Sequence, residues 1–381
     1  MMGVKARCIS HIVAFWVVFG TISHTRAQGN WSISMAKTAM TLWPRGTPAN
    51  WNYEQGFVLR AIEAVWDKTG DSAYFHYIQN KVDFFITPTG GITTYTLQEY
   101  TLDNIASGRA LLFLYAHTAN TKYKLAADKL RSQLATHPRT SEGGFWHKNA
   151  YPQQMWLDGL YMAEPFYAQY AQLFYQTSSF DDVALQILLM EKMGRDVQTG
   201  LLYHGWDESK AQAWANPITG CSPSFWGRGL GWYMVSLVDV LDFLPTTHPQ
   251  RDSILHVLQR LAYAVAQVQD NSGLWYQVLD KAGQAGNYVE ASASAMMVYA
   301  LAKGVRMGYI DKTYFEHAKQ GFDVLLSKFV QTDAKGQVHL TGTCPSAGLG
   351  GNPYRSGTYD YYVGIATVTD DPKGIGAFIL V

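Results

Sequence analysis

Five short strings decide the architecture: Gly90-Gly91-Ile92, Gly143-Gly144-Phe145-Trp146, Gly200-Leu201-Leu202-Tyr203, Gly273-Leu274-Trp275-Tyr276 and Gly336-Gln337-Val338. Each follows a polar turn, and they recur 53 to 73 residues apart, one pair of helices per interval. A helix-pair period means stacked hairpins, either as an open solenoid or closed into a ring. An open solenoid would show stricter repeats. Closure would bring every glycine-aromatic loop to one end and build a single aromatic-rimmed cleft. The expected fold class is therefore all-α, an (α/α)6 barrel.

The segments between these loops have helical length and spacing. Trp51 to Thr69 sets Phe57, Ile62, Val65 and Trp66 on one face and stops at Gly70, where Asp71 can cap the next helix. Similar runs cover 71–86, 103–118, 123–134, 156–176, 180–193, 230–244, 252–268, 292–307 and 312–329. Strand-like alternation is short and confined to connections. No linker, low-complexity tract or charge run interrupts them, so residues 28–381 read as one catalytic-size domain.

Residues 1–27 read differently. Lys5 and Arg7 precede an apolar run from Ile12 to Ile22, and Thr25-Arg26-Ala27 is a small-x-small cleavage site. This is the pattern of a secretory signal, and it predicts a secreted or periplasmic protein. The run is too short for a comfortable membrane span, and no later stretch offers one. Of the three cysteines, Cys8 falls in the signal. Cys221 and Cys344 are expected as free thiols, a pair in an oxidising compartment being the alternative.

Composition narrows the function. Thirty Lys and Arg balance thirty Asp and Glu, which argues against a nucleic-acid or polyanion binder. Charged residues make up 16% against the roughly 25% usual in soluble domains. Aromatics reach 14%, with 12 Trp and 24 Tyr, enough to line a cleft for sugar rings; a Trp-rich core is the alternative. No HExxH, P-loop, GxSxG or CxxC string is present. No metal or cofactor is expected.

Two acids sit among large apolar residues. Asp158 lies within Met155-Trp156-Leu157-Asp158-Gly159-Leu160-Tyr161-Met162, and Asp103 within Leu102-Asp103-Asn104-Ile105. An isolated ionised carboxylate is not left in such surroundings: it is paired, hydrogen-bonded or kept protonated. Asp103 can also be read as a helix cap and Asp158 as a satisfied buried acid. If the two approach each other, one would hold its proton near neutral pH and become a general acid. A second constellation, Phe225-Trp226-Gly227-Arg228-Gly229-Leu230-Gly231-Trp232, sets an Arg fork for a carboxylate between two Trp. A glycine turn with core tryptophans is its alternative. Gly144 to Lys148 and Tyr203 to Glu208 add His147, Lys148 and His204 at the expected barrel mouth.

At these residues the chain resembles glycoside hydrolase family 105, the unsaturated rhamnogalacturonyl hydrolases, and more distantly the unsaturated glucuronyl hydrolases. The similar stretches are Trp51 to Gly56, Leu102 to Asn104, Gly143 to Tyr151, Gln154 to Ala163, Tyr203 to Trp206, Ser224 to Trp232, Tyr288 to Ala293 and Gly357 to Tyr362. The resemblance implies removal of a 4,5-unsaturated uronic acid from the non-reducing end of lyase products, by adding water across the C4=C5 bond. It implies Asp158 as the acid/base and Asp103 as the second acid. It also implies Tyr53, His147, Lys148, His204, Trp226, Arg228 and Trp232 around the substrate. The expected partner is an unsaturated oligosaccharide, bound by a monomer with no nucleic-acid or membrane partner. An inverting hydrolase of saturated sugars, a polysaccharide lyase and a secreted sugar-binding protein are the competing readings.

Overall fold

The computed structural model describes residues 30–381, so the expected signal lies outside the described residues. Residues 31–381 form one compact unit. The helices, in chain order, are α1 (Trp31–Leu42), α2 (Tyr53–Thr69), α3 (Ser72–Val82), α4 (Gly108–Thr118), α5 (Thr121–Thr136), α6 (Leu157–Leu173), α7 (Ser179–Gly194), α8 (Gly227–Val240), α9 (Arg251–Gln267), α10 (Ala291–Arg306), α11 (Tyr314–Phe329), α12 (Tyr359–Val363) and α13 (Pro372–Leu380).

Six of them close a ring: α2 packs on α4, α4 on α6, α6 on α8, α8 on α10, α10 on α13, and α13 back on α2. The other long helices, α1, α3, α5, α7, α9 and α11, pack outside them. The fold is an (α/α)6 barrel. Burial follows this division. Every residue of α8 is buried, whereas in α11 only Ala318, Gly321, Leu325 and Phe329 are. An inner helix is covered on both sides, while an outer helix needs one apolar stripe.

The ring is closed by α13 packing against α2, and α13 was not recognised in the sequence. Helix α13 reads Pro-Lys-Gly-Ile-Gly-Ala-Phe-Ile-Leu and is buried at seven of its nine positions, so it has no amphipathic period to detect. Lys373 in its first turn pairs with Glu54 at the start of α2, 2.6 Å away, tying the last inner helix to the first.

All five glycine strings lie in outer-to-inner connections, and four of their turns share one hydrogen-bond pattern. Gly143 N–H donates to Thr140 C=O and Gly273 N–H to Asp270 C=O; Gly90 and Gly336 close equivalent turns, while Gly200 N–H reaches one residue further, to Asp196 C=O. At Gly143 and Gly273 the backbone has φ of 94° and 99°, where a side chain would be strained. Because each connection leads into an inner helix, the inner helices all begin at one end, the mouth.

Deeper in the barrel, Asp239 of α8 joins three inner helices. It meets Arg109 of α4 at 2.6 Å and Lys303 of α10 at 2.8 Å, and Tyr299 donates to it at 2.8 Å. Burial alone would raise the Asp239 carboxyl. Lys303, Arg109 and Arg60 outweigh that and hold it far below the usual carboxylate range. Its contribution to stability is therefore present above the unfolded value of about 4 and is lost as pH falls toward the folded one. Asp239→Ala leaves the buried Arg109 without its carboxylate and Lys303 with Asp242 alone, and should cost about 3–5 kcal/mol, read from denaturant unfolding at neutral pH.

Candidate active site

The loops at the mouth pair with one another in sequence order. Strand β1 (Gln154–Trp156) runs antiparallel to β2 (Gly205–Asp207), with Met155 opposite Trp206. Leu157 N–H donates to His204 C=O at 3.0 Å. This register sets His204 beside Asp158, which lies in the first turn of α6. On the other flank Thr101 bridges Lys148, and Leu102 N–H donates to His147 C=O. That bridge delivers Asp103 to both of those side chains.

Each acid consequently has its own partners. Asp158 Oδ2 lies 2.8 Å from His204 Nε2. His204 Nδ1 lies 2.6 Å from the Tyr362 hydroxyl. Burial pushes the Tyr362 phenol well above its ordinary value, so it keeps its proton and donates to Nδ1. The Nε2 hydrogen then points at Asp158. Asp103 Oδ2 is 2.5 Å from Lys148 Nζ, and its Oδ1 is 3.5 Å from His147 Nε2. Burial lowers the Lys148 ammonium, but Asp103 more than offsets this and leaves it above its usual value. Burial takes His147 down to about 4, with Lys148 adding to the effect against Asp103.

One of the two acids was expected to hold its proton near neutral pH if they approached each other; Asp158 does not. Burial raises Asp158, but the charge and hydrogen bond of His204, helped by His147, bring it below the ordinary carboxylate value. Asp103 is also no cap of a long helix. It sits in a 3-10 turn, Leu102–Asn104, and α4 starts five residues after it at Gly108.

The aromatic and cationic residues divide between wall and support. Tyr53 is half-buried and feels Asp103, Arg228 and Asp158, while burial pushes its phenol well up. Trp232 is placed behind it rather than on the wall: it is 1% exposed and packs on Phe57, Tyr161 and Tyr53. Trp226 is equally buried, stacked on Tyr362 and tilted against His204. Arg228 lies over the Trp226 ring at 4.9 Å. Its Nη1 donates to Cys344 C=O and to Ser292 Oγ, while its Nε has no hydrogen-bond partner. The fork is thus partly engaged by the C-terminal segment. Cys221 and Cys344 are free and buried, and among the described residues no group of three or more His, Cys, Asp or Glu is placed to hold a metal ion. Nor is any helix of the described residues long and apolar enough to cross a membrane.

A barrel mouth carrying two partly exposed carboxylates, cations and stacked aromatics is suited to proton transfer on an anionic sugar. Comparison with known proteins agrees. The sequence family described as Glycosyl Hydrolase Family 88 matches residues 30–381.

The chain belongs to glycosyl hydrolase family 88.

It is 43% identical to a family 105 glycoside hydrolase of Clostridium acetobutylicum, whose structure superposes with a TM-score of 0.90 over 92% of this chain and 98% of that one. It is 28% identical to the unsaturated rhamnogalacturonyl hydrolase YesR of Bacillus subtilis over 69% of this chain and 74% of that protein. The unsaturated glucuronyl hydrolase of Bacillus sp. GL1 shares the fold, with a TM-score of 0.67 at 14% identity, over 91% of this chain and 93% of that one. The resemblance to family 105 read from the motifs is borne out.

Reading single residues missed part of this family 88 site. Tyr362 was visible only as the end of a similar stretch, and nothing local linked it to His204, 158 residues away. Trp156 and Tyr151 form a stack with His147, with ring centroids 4.5 and 4.9 Å apart. Arg355 covers that stack, 5.7 Å from both the Tyr151 and the Trp156 ring, and donates to the Tyr151 hydroxyl at 2.8 Å. Removing His204 leaves burial of Asp158 unopposed by its largest lowering influence. In His204→Leu the Asp158 carboxyl should therefore titrate at higher pH than in the parent protein, as followed by the pH dependence of its ¹³C carboxyl resonance.

Proposed function

We propose that this protein releases a 4,5-unsaturated uronic acid from the non-reducing end of lyase-generated oligosaccharides, rhamnogalacturonan fragments foremost, by hydrating the C4=C5 bond. The observation that carries the reading is the inequality of the two acids. Ordinary inverting hydrolysis needs two available carboxylates about 6.5–9.5 Å apart across the scissile bond. Asp103 is committed to Lys148 and His147, which leaves Asp158, on its relay from Tyr362 through His204, as the available acid/base.

In this reading Asp158 protonates C4 and then takes a proton from the water that attacks C5. The hemiketal formed at C5 opens, and the aglycone departs without attack at C1. Asp158 is ionised in the free enzyme, so it must gain a proton as substrate binds. The negative charge of the uronate, brought next to a buried carboxylate, raises its proton affinity. Tyr53 and Tyr151, both partly exposed, offer faces to the sugar ring, with Trp156 packed behind Tyr151. Lys148 and Arg355 supply positive charge beside them, and Arg228, buried beneath the surface, adds its charge without reaching the sugar directly. Export through the 1–27 leader belongs to the same proposal, with cleavage after about Ala27 testable by N-terminal sequencing of the mature protein.

The enol absorbance of an unsaturated disaccharide reports the reaction directly: hydration destroys it, a lyase creates it, and a binding protein leaves it unchanged. Asp158→Asn should lower the rate of its loss by at least about 10²–10⁴-fold, with ligand binding retained. An analogue saturated at C4–C5 should bind and stay intact. Its cleavage at a comparable rate would return the site to two-carboxylate chemistry. A panel of disaccharides differing in the leaving sugar, rhamnose against hexosamine, decides the substrate.

A further inference from the structure

Behind the site lies a small cavity bounded by His147, Gly159, Glu164 and Gln186, with apolar side chains completing its walls. Its volume, about 10 Å³, is that of about one water centre. Two buried polar atoms of its lining have no hydrogen-bond partner, His147 Nδ1 and Glu164 Oε2. Gln186 bonds to neither of them. Its amide oxygen accepts from Phe145 N–H at 2.7 Å, and its amide nitrogen donates to Gly143 C=O and Asp182 at 3.0 Å. Gly159 keeps the space open, because a Cβ there would come within 3.1 Å of His147 Nδ1.

We propose that one water in this cavity accepts a hydrogen bond from the Glu164 carboxyl and donates one to His147 Nδ1, making Glu164 a positioning residue that fixes the tautomer of His147. The inference rests on the reading of Asp103 and Asp158 as the site acids. Burial, with Asp182 adding to it and Arg139 opposing, pushes Glu164 well above the ordinary carboxyl value, so it has a hydrogen to give. With Nδ1 accepting, the ring carries its hydrogen on Nε2, facing Asp103 Oδ1. The opposite tautomer would aim a lone pair at that carboxylate and loosen its pairing with Lys148. The other charges around His147 are Asp158 and His204; neither reaches Nδ1 with a hydrogen bond, which leaves Glu164 in control of that atom.

The test compares Glu164→Leu, which removes the donor, with Glu164→Gln, which keeps an N–H in nearly the same volume. Long-range ¹H–¹⁵N spectra of the ¹⁵N-histidine-labelled protein read the tautomer directly, with His147 assigned from its Gln variant. The parent and the Gln variant should show His147 protonated at Nε2 alone across about pH 5 to 8. The Leu variant should show a mixed or inverted tautomer. Its kcat on an unsaturated disaccharide should fall about ten- to hundred-fold, as for a misplaced catalytic group, with KM within about twofold. An unchanged His147 signal in the Leu variant, or equal impairment in Leu and Gln, overturns the proposal. If the Leu variant does not fold, a parent spectrum with His147 protonated at Nδ1 overturns it equally. A parent enzyme that leaves unsaturated disaccharides intact would refute the proposed function instead, because the tautomer is read without turnover.

Discussion

Backbone pairing around the mouth of the barrel is the constraint on which the site depends. Inner helices bring their unsatisfied N-terminal N–H groups to one end, and something must hold those ends in register. Here the loops do so in a chain. Thr101 pairs with Lys148, Met155 with Trp206, Trp226 with Val278, and Tyr276 with Val289. Ala291 N–H continues the series to Gly342 C=O. A one-residue slip of β1 against β2 would turn successive side chains to opposite faces and take His204 away from Asp158. The collar therefore sets the chemistry, although its strands are only three residues long.

Electrostatics then separates two carboxylates that look alike in sequence. Both lie at the mouth and both are partly exposed. One is neutralised by a lysine and faces an imidazole that burial keeps uncharged; the other is linked through a histidine to a buried phenol. In the proposed reaction this asymmetry is what would let one acid move protons while its neighbour holds position. It also explains how Asp158 remains ionised although burial works against it. The C-terminal segment contributes on the opposite side. Tyr362 completes the relay, Cys344 binds Arg228, and Arg355 lies over the Tyr151–Trp156 stack.

Much of the fold was legible because its signals are local. The amphipathic outer helices and the glycine turns depend on neighbours a few residues away, and the predicted boundaries mostly lie within a few residues of those observed. Asp71 does cap α3, accepting from Ala73 N–H at 2.9 Å. Helix α13 was missed for the opposite reason, because a helix surrounded by protein has no polar face to mark its period. The start of α4 was placed too early because Leu102 and Ile105 continue an apolar pattern into a tight turn.

The site divides along the same line. Sequence by itself determined which residues are candidates for the chemistry: Asp103 and Asp158 set among apolar side chains, the His147-Lys148 pair, His204 and the Trp-Gly-Arg-Gly string are fixed by composition and order. Tertiary structure alone decided what each of them does. How an acid is partnered depends on what approaches it across the barrel, and His204, Lys148 and Tyr362 arrive from 46, 45 and 204 residues away along the chain. It also decided that Trp232 stands behind Tyr53 and that Cys344 occupies part of Arg228. Charge, desolvation and packing act through distances in space, and those were set only when six helices closed into a ring.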